Sequence, residues 1–299
     1  MEQNGFTILL CILSKYRNKG RIYMSKTIFV LLDGCAYDSA QENLGFLEHL
    51  IESNMGSKFR VRGELPSLSK PMYETLLTGL TVCSHLVTNN LIPRMSIKES
   101  VFSLCRKNNL STASASYYWI SELYNSAPFN PADDRIQLNT SKNIENGIFY
   151  FEDNYPDSHV FADGEFLRCN FDPDFLMIHS MNIDEAGHKF GSSSMEYAAV
   201  VSKVDSIIST IMPLWMKEGY NIVVTSDHGM NDKRLHGGND YAQRYVALYV
   251  FSDCVKKGDF TKKSISELII APLLCRMLGI EKAADMMELS DICSENADD

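Results

Sequence analysis

Lys26-Thr-Ile-Phe-Val-Leu-Leu-Asp-Gly34 is a continuous run of apolar and β-branched residues that ends in an acid and a glycine. Such a run is typical of a strand buried on both faces of a sheet, with a polar residue at its carboxyl end. Similar runs recur at 175–181, 221–226 and 245–251. We therefore predict a central sheet with Asp33 at the end of its first strand.

A long amphipathic segment lies between the runs at 175–181 and 221–226. From Ser193 to Glu218, apolar residues recur at helical spacing. They are Tyr197, Val200, Val201, Val204, Ile207, Ile208 and Ile211. A strand, a helix and a strand in succession predict a crossover, and hence an α/β fold whose largely parallel central sheet has helices on both faces. Residues 264–278 predict a further helix that ends at Gly279.

Composition and charge limit the kinds of partner. The 299 residues are 45% hydrophobic, 10% aromatic and 22% charged, as in an ordinary globular protein. The formal net charge is −10, which leaves no basic surface for phosphate backbones, so we expect no nucleic-acid polymer as a partner. A small anionic substrate remains compatible, because a local metal cluster outweighs the global charge at short range.

The cysteines and the N-terminal residues bear on location. The eight cysteines contain no C-x-x-C pair and are interpreted as free thiols, which fits a cytoplasmic protein. The apolar run at 6–13 has no basic segment before it and is too short to span a bilayer, so we expect no membrane partner. We predict a non-structural extension over 1–23 and a single domain over 24–299. Turn-rich sequence around 101–174 indicates loops or a small insertion over the sheet edge.

Two segments that pair an acid with a histidine follow predicted strands. Asp184-Glu-Ala-Gly-His188 places them four residues apart, on one helical turn or in a tight loop opened by Gly187. In Thr225-Ser-Asp-His-Gly-Met230 they are adjacent, and Gly229 permits a turn that lets them converge. Each also has an ordinary structural interpretation: a capped helix start with an exposed pair, or a helix N-cap at Asp227.

Taken together, the acids point to metal binding. Asp33, Asp184 and Asp227 would meet at one edge of a parallel sheet, where α/β proteins bind ligands. Three carboxylates there repel one another unless cations hold them. The accompanying histidines are His188, His228 and, on a glycine-rich loop, His236. This set suits two divalent metal ions, with zinc as first choice and manganese as the alternative.

A nucleophile is expected near the first strand. Ser67 and Ser69 lie in a proline-bracketed turn before a short predicted helix that ends at Gly79. A hydroxyl at a helix N-terminus sits in a positive field, which suits an alkoxide and a bound phosphate. A serine that merely caps the helix would occupy the same place, so the two interpretations are compatible.

The order and spacing of these pieces resemble the nucleotide pyrophosphatase/phosphodiesterase family of the alkaline phosphatase superfamily. The matching pieces are Phe29-Val-Leu-Leu-Asp-Gly34, Ser69-Lys-Pro-Met-Tyr-Glu-Thr-Leu-Leu-Thr-Gly-Leu80 with Asn89-Asn90, Asp184-Glu-Ala-Gly-His-Lys-Phe-Gly191, Ser226-Asp-His-Gly-Met230 and His236-Gly237. They cover about residues 26–95 and 174–281. The resemblance implies an alkaline-phosphatase-like core.

The resemblance also implies a division of roles. One metal would be held by Asp33, Asp227, His228 and the Ser69 oxygen, and the other by Asp184, His188 and His236. Ser69 falls where the family has its threonine or serine nucleophile, which implies a covalent phosphoryl-serine intermediate. Asn90 falls where an asparagine helps to hold a phosphate oxygen.

Some positions depart from the family's pattern or lie outside it. Met72 stands where the family's Thr-Phe-Pro-Asn run has asparagine, and Leu86 where a glycine usually follows His85. These changes border the pocket and bear on substrate class more than on metal binding. Lys70 is interpreted as a solvated surface residue, and His85 and His179 as packing or surface residues.

The expected function is hydrolysis of phosphodiester or pyrophosphate bonds, dependent on two metals. The expected partner is a small phosphorylated substrate of the nucleotide type. A phosphomonoesterase, a phosphonoacetate-hydrolase-like enzyme and a non-catalytic metal-containing binding protein remain alternatives, because one core serves all of them. The aromatic residues 117–119 are interpreted as core packing rather than as a base-stacking wall.

Overall fold

The computed structural model describes residues 26–289, so the extension predicted over 1–23 lies outside the described residues. The strands are β1 Thr27–Leu32, β2 Ser57–Arg62, β3 Thr112–Tyr117, β4 Ile136–Gln137, β5 Asn146–Tyr150, β6 Phe175–Ser180, β7 Asn221–Thr225, β8 Tyr245–Phe251 and β9 Gly258–Ser266. The helices are α1 Tyr37–Asn43, α2 Gly45–Glu52, α3 Ser69–Thr78, α4 Val82–His85, α5 Val101–Lys107, α6 Tyr118–Tyr124, α7 Pro131–Asp134, α8 Asp157–Phe171, α9 Asn182–Phe190, α10 Met195–Lys217, α11 Tyr241–Arg244 and α12 Ile270–Met277.

The nine strands within residues 26–289 form one sheet, in the order β4-β5-β3-β6-β1-β7-β8-β2-β9. Its centre is parallel: β1 lies between β6 and β7, and β3 and β5 continue the array beyond β6. β8 runs antiparallel to β7 and β2, and β4 antiparallel to β5. The predicted α/β fold with a largely parallel sheet is confirmed.

Alternate residues of β1 pack into different cores, as expected for a strand buried on both faces. Phe29 and Leu31 belong to one apolar cluster, together with residues of α3, α5 and α12. Ile28 and Val30 belong to a second cluster, together with residues of α1 and α10. Helices therefore cover both faces of the sheet, as the sequence predicted.

Helix α10 is the predicted crossover helix between β6 and β7. Its buried residues include Tyr197, Val201, Val204, Ile208, Met212 and Trp215. By length and hydropathy alone this helix could cross a membrane. In the fold, however, its buried stripe packs in the second cluster against the sheet, which is how an amphipathic helix satisfies its apolar face in an α/β core.

Residues 101–174 are not the loops or small insertion that the sequence indicated. They supply β3, β4 and β5 to the sheet, with α5, α6 and α8 around them. β3 is fully buried but has the sequence Thr-Ala-Ser-Ala-Ser-Tyr. The Ser114 hydroxyl donates to the Ser116 oxygen at 2.8 Å, so the buried polar groups satisfy each other. The apolar run that marks a buried strand is therefore missing from the sequence.

The helix predicted over 264–278 begins later than expected. Ser264–Ser266 extend β9 along β2, and a 3₁₀ turn at Glu267–Ile269 precedes α12. β9 is an edge strand with half-exposed side chains, so its mixed polar sequence distinguishes poorly between strand and helix. The predicted stop is correct, because α12 ends just before Gly279, whose φ is +67°.

Candidate active site

The first group of candidate ligands lies where β1 and β7 end. It consists of Asp33, Asp227 and His228, whose ligand atoms lie within 4.8 Å of one another. His228 Nε2 is 3.2 Å from Asp227 Oδ2 and 3.6 Å from Asp33 Oδ1. All three side chains are fully buried. They meet because neighbouring parallel strands deliver their C-terminal residues to the same edge of the sheet.

The second group combines helix α9, which follows β6, with the loop after β7. It consists of Asp184, His188 and His236, again with ligand atoms within 4.8 Å of one another. His188 Nε2 lies 3.3 Å from Asp184 Oδ2, because the two residues are four apart on one face of α9. His236 Nε2 lies 3.1 Å from His188 Nε2 and 3.7 Å from Asp184 Oδ1.

The two groups are direct neighbours. The rings of His228 and His236 stack with their centroids 3.8 Å apart and 11° between their planes. Gly34 permits the close approach, since its φ is +70° and a Cβ on it would lie 2.8 Å from the Asp184 Cα. A larger residue would displace Asp184. The Asp-Gly ending of β1 therefore serves the site as well as the turn.

The histidines are oriented as metal ligands are. Each ring has its Nδ1 on a backbone carbonyl, which places the proton there and turns the free Nε2 toward the carboxylates. The contacts are His188 Nδ1 with Arg234 O at 3.0 Å, His228 Nδ1 with Gly229 O at 3.0 Å, and His236 Nδ1 with Ser67 O at 2.9 Å. This arrangement offers three nitrogen lone pairs to the interior of the site.

The carboxylates also fit a cation. Within residues 26–289, Asp33 Oδ1, Asp184 Oδ1 and Asp227 Oδ2 are buried without a hydrogen-bond donor. Burial raises the pKa of Asp33 to about 7, and Asp184 adds to the rise. Burial, together with Asp33 and Asp184, raises the pKa of Asp227 well above its ordinary value. Deprotonated acids at these positions need positive charge, which two divalent ions would provide.

Ser69 is the first residue of α3 and lies against the first group. Its Oγ is 3.1 Å from His228 Nε2. The other candidate, Ser67, is fully buried, and its hydroxyl donates to Gly238 O at 2.8 Å. Ser67 therefore holds the loop that carries His236, whereas the Ser69 hydroxyl faces the candidate ligands.

Asn90 lies beside Ser69. Its Oδ1 accepts a hydrogen bond from the Lys70 N–H at 3.0 Å, which satisfies one of the free N–H groups in the first turn of α3. No partner among the described residues occupies the side-chain NH₂ of Asn90. The structure thus brings Ser69 and Asn90 together and leaves two donors of Asn90 for a ligand oxygen.

Two further side chains contact Asp33 and were not predicted as site residues. The Tyr73 hydroxyl donates to Asp33 Oδ2, and His179 Nε2 lies 3.0 Å from the same oxygen. Tyr73 is one turn beyond Ser69 on α3, and His179 is paired in register with Leu31 of β1. These two positions place both side chains on the same side as Asp33. The spacings are therefore the sequence signal from which both residues could have been identified.

Lys70 is not the solvated surface residue that the sequence indicated. It is fully buried, with Nζ 2.6 Å from Glu122 Oε2 and donating to Ile92 O at 2.9 Å. Glu122 lies on α6, in the region 101–174, whose packing against α3 was not predicted. A distant segment therefore supplies the charge that allows this lysine to be buried.

The positions that depart from the family pattern have distinct environments. Met72 is fully buried. Leu86 has a φ of +64°, in the left-handed region, which explains why glycine is usual at this position. His85 is buried, as the packing interpretation expected, and its Nε2 lies 3.0 Å from Thr75 Oγ1.

The fold and the site define an α/β protein of the alkaline phosphatase type, with candidate ligands for two metals at the carboxyl edge of its sheet. Residues 27–251 match the Type I phosphodiesterase / nucleotide pyrophosphatase family. The chain belongs to this family.

Individual relatives agree with this assignment. An uncharacterized pyrophosphatase/phosphodiesterase of Schizosaccharomyces pombe is 26% identical over 246 residues, covering 74% of this chain and 48% of the relative. GPI ethanolamine phosphate transferase 2 of the same organism is 23% identical over 295 residues, covering 86% of this chain and 36% of the relative. The chain thus spans about half, or less, of the length of these relatives.

A solved structure shares the fold. It is an inactive form of murine ectonucleotide pyrophosphatase/phosphodiesterase 5 in complex with AMP, with a TM-score of 0.68 and 14% sequence identity. The similarity covers 90% of this chain and 100% of that chain. At this identity the likeness establishes the common architecture of the sheet and its helices.

Proposed function

We propose that this chain hydrolyses phosphodiester or pyrophosphate bonds with two divalent metal ions at its two Asp/His groups. The observation that carries the proposal is the Ser69 hydroxyl, 3.1 Å from His228 Nε2 at the N-terminus of α3. Membership of the family supports the same reaction. Zinc is the first choice of metal and manganese the second, because mixed carboxylate and imidazole ligands suit borderline ions.

The ligand sets proposed for the two ions follow the geometry. They are Asp33, Asp227, His228 and the Ser69 oxygen for one ion, and Asp184, His188 and His236 for the other. Bound ions supply positive charge that lowers the pKa of a coordinated hydroxyl and stabilises negative charge on phosphate oxygens.

The residues of the chain have separate tasks in the proposed reaction. The Ser69 oxygen forms a bond to phosphorus as the bond to the leaving oxygen breaks, which gives a phosphoryl-Ser69 intermediate that water then hydrolyses. The N-terminus of α3 favours negative charge at Ser69. The NH₂ group of Asn90 donates to a non-bridging phosphate oxygen. Lys70 adds no charge to the substrate, because it is paired with Glu122.

An aromatic surface supports nucleotide-type substrates. Tyr117 is buried, as the core-packing interpretation expected, but Tyr118 and Trp119 are only partly buried. The Trp119 ring centroid lies 6.2 Å from that of Tyr73, whose hydroxyl reaches Asp33. A planar group attached to a phosphate at Ser69 could stack on such a surface. The solved relative in complex with AMP supports the same substrate class.

Transfer to an alcohol is a second candidate reaction. Several relatives are named GPI ethanolamine phosphate transferases. The loop after Asn90 exposes Leu91, Ile92, Met95 and Ile97, and such a surface suits a substrate or acceptor with an apolar part. In this reaction an alcohol replaces water in the second step at Ser69.

Metal content and hydrolysis measured on one preparation test the proposal. We expect two zinc or manganese ions per chain by elemental mass spectrometry, and cleavage of bis-p-nitrophenyl phosphate that a chelator abolishes. Preference for p-nitrophenyl phosphate would indicate a phosphomonoesterase, and cleavage of phosphonoacetate alone a phosphonate hydrolase. Metal without cleavage would indicate a binding protein, and the absence of metal after Zn²⁺ and Mn²⁺ addition would exclude the proposed site.

An acceptor series separates hydrolysis from transfer. The assay is repeated with rising concentrations of ethanolamine or a long-chain alcohol, and the products are separated by mass spectrometry. For a hydrolase, water accepts the phosphoryl group, so the phosphorylated product contains no added alcohol at any acceptor concentration. A product esterified to the alcohol, formed in preference to hydrolysis at millimolar acceptor, would favour the transferase reaction.

Location and partners remain proposals from the sequence. Cys35, Cys105 and Cys275 are buried thiols, and such thiols support the proposal of a reducing, cytoplasmic compartment. A small phosphorylated molecule is the proposed partner. Fractionation of the native cell into cytoplasmic and membrane pools, followed by detection of the chain, tests the location directly.

A further inference from the structure

Two ionisable residues one turn apart on α3 make buried polar contacts with α6 beside the proposed site. Lys70 Nζ lies 2.6 Å from Glu122 Oε2, and the Tyr124 hydroxyl donates to Glu74 Oε2 at 2.7 Å. Lys70 and Glu74 are both fully buried. Helix α6 therefore contacts α3 through polar groups as well as through the surrounding apolar cluster. Such groups are costly to bury and are kept in some proteins because they specify a geometry.

The same two residues also hold the loop that carries Asn90. Lys70 contacts this loop twice, since its N–H donates to Asn90 Oδ1 at 3.0 Å and its Nζ donates to Ile92 O at 2.9 Å. Further along, the Ser96 hydroxyl donates to Glu74. The loop has no helix or strand between residues 86 and 100 and exposes several apolar side chains. Its position is therefore set mainly by contacts to α3 and α6.

We propose that the Lys70–Glu122 ion pair is a positioning device that aims the Asn90 side chain at the phosphate-binding side of Ser69. Glu122 fixes the ammonium through Oε2 and accepts the Phe129 N–H at its Oε1 at 3.1 Å. The ammonium in turn holds the backbone two residues beyond Asn90. This role rests on the proposed function, because it serves the task of Asn90 in that reaction, and neither charged group touches the substrate.

Both partners of the pair must be changed together in a test of this role. Loss of Lys70 alone would leave the Glu122 carboxylate buried and unpaired, which destabilises a fold for reasons unrelated to catalysis. Lys70→Met combined with Glu122→Gln removes both charges at similar side-chain volume. Arg106→Met with Glu145→Gln is the control for the loss of an ion pair, because this partly exposed 2.9 Å pair joins α5 to the residue before β5.

The experiment is a double-mutant cycle on the zinc-loaded chain, with bis-p-nitrophenyl phosphate as substrate. We expect Lys70→Met/Glu122→Gln to keep its metal content and a melting temperature near that of the wild type, while kcat falls about 10- to 100-fold. Asn90→Ala should cost a similar factor in the wild type and less than about threefold in the double variant, since the two changes remove one interaction. The control pair should leave kcat unchanged.

Two kinetic outcomes would overturn the positioning role: wild-type kcat in Lys70→Met/Glu122→Gln, or a full additional loss when Asn90→Ala is added. Failure of the proposed function is distinguishable, because then no variant and no wild-type preparation cleaves any phosphate ester. Hydrogen exchange then tests the contacts themselves. Amides of residues 89–92 should exchange at least about tenfold faster in the double variant while those of β1 are unchanged, and equal exchange would show that the pair does not hold the loop.

Discussion

Ser69 Oγ and His228 Nε2 are 3.1 Å apart although 159 residues separate them in the chain. The contact forms because α3 begins where the end of β7 opens toward the site. It places a hydroxyl at a helix N-terminus against a side chain of the first candidate ligand group. The proposed chemistry depends on this juxtaposition more than on any single residue.

Replacement of Ser69 by alanine removes the proposed nucleophile and leaves the Asp and His ligands in place. We expect turnover of bis-p-nitrophenyl phosphate to fall by at least about 10³-fold, with two metal ions per chain retained by elemental mass spectrometry. Ser67→Ala is the control and should stay within about tenfold of the wild type, because the Ser67 hydroxyl only bonds Gly238. The opposite ranking would transfer the role to Ser67.

Tyr73→Phe tests the orientation of Asp33. The phenol hydroxyl donates to Asp33 Oδ2, and loss of such an outer contact typically lowers metal affinity about 10- to 100-fold. Zn²⁺ titration against a chromophoric chelator measures the change. Tyr124→Phe is matched to it, since it removes a buried hydroxyl from Glu74 away from the ligands. Equal zinc affinity in all three proteins would show that Tyr73 does not support the site.

Leu86→Gly is expected to stabilise the fold. Leu86 has a φ of +64° and is half-exposed, so glycine removes left-handed strain while little packing is lost. The gain in unfolding free energy should be about 0.5–1 kcal/mol by urea denaturation. Leu91→Gly, at an exposed loop position without a positive φ, should instead be neutral or slightly destabilising. A loss of stability in Leu86→Gly would show that its side chain packs more than its exposure suggests.

Asp157 should make stability fall as pH rises. Burial raises the pKa of Asp157 from 3.8 to about 7. Between these values the folded chain keeps a proton that the unfolded chain has released, so this group lowers the unfolding free energy by about 1.4 kcal/mol per pH unit. Its contribution is constant below pH 3.8 and above pH 7. The advantage of Asp157→Asn over the wild type in urea denaturation should therefore grow from pH 4.5 to 7 and then level off, whereas a constant difference would contradict the raised pKa.

The elements that deliver the site were predictable because their burial leaves a regular pattern. β1, β6 and β7 are apolar runs, and α10 has the period of a helix with one buried face. Parallel strands deliver their ends to one edge, so Asp33 and Asp227 could be placed together before any coordinates were known. The acids at the ends of β1 and β7 follow from these local patterns, whereas the division of ligands between two metals followed from the family resemblance.

Other features depend on partners that come from elsewhere in the chain. The burial of β3 requires Ser114 to satisfy Ser116, and the burial of Lys70 requires Glu122 from a helix that the sequence did not reveal. Local sequence specifies which side chains are apolar and at what period they recur. It does not specify which distant group will meet a polar one, and a buried polar side chain is stable only when that partner arrives. The strand ends and their acids were therefore encoded locally. The buried polar contacts beside them were decided by the packing of α3, α6 and the loop between them.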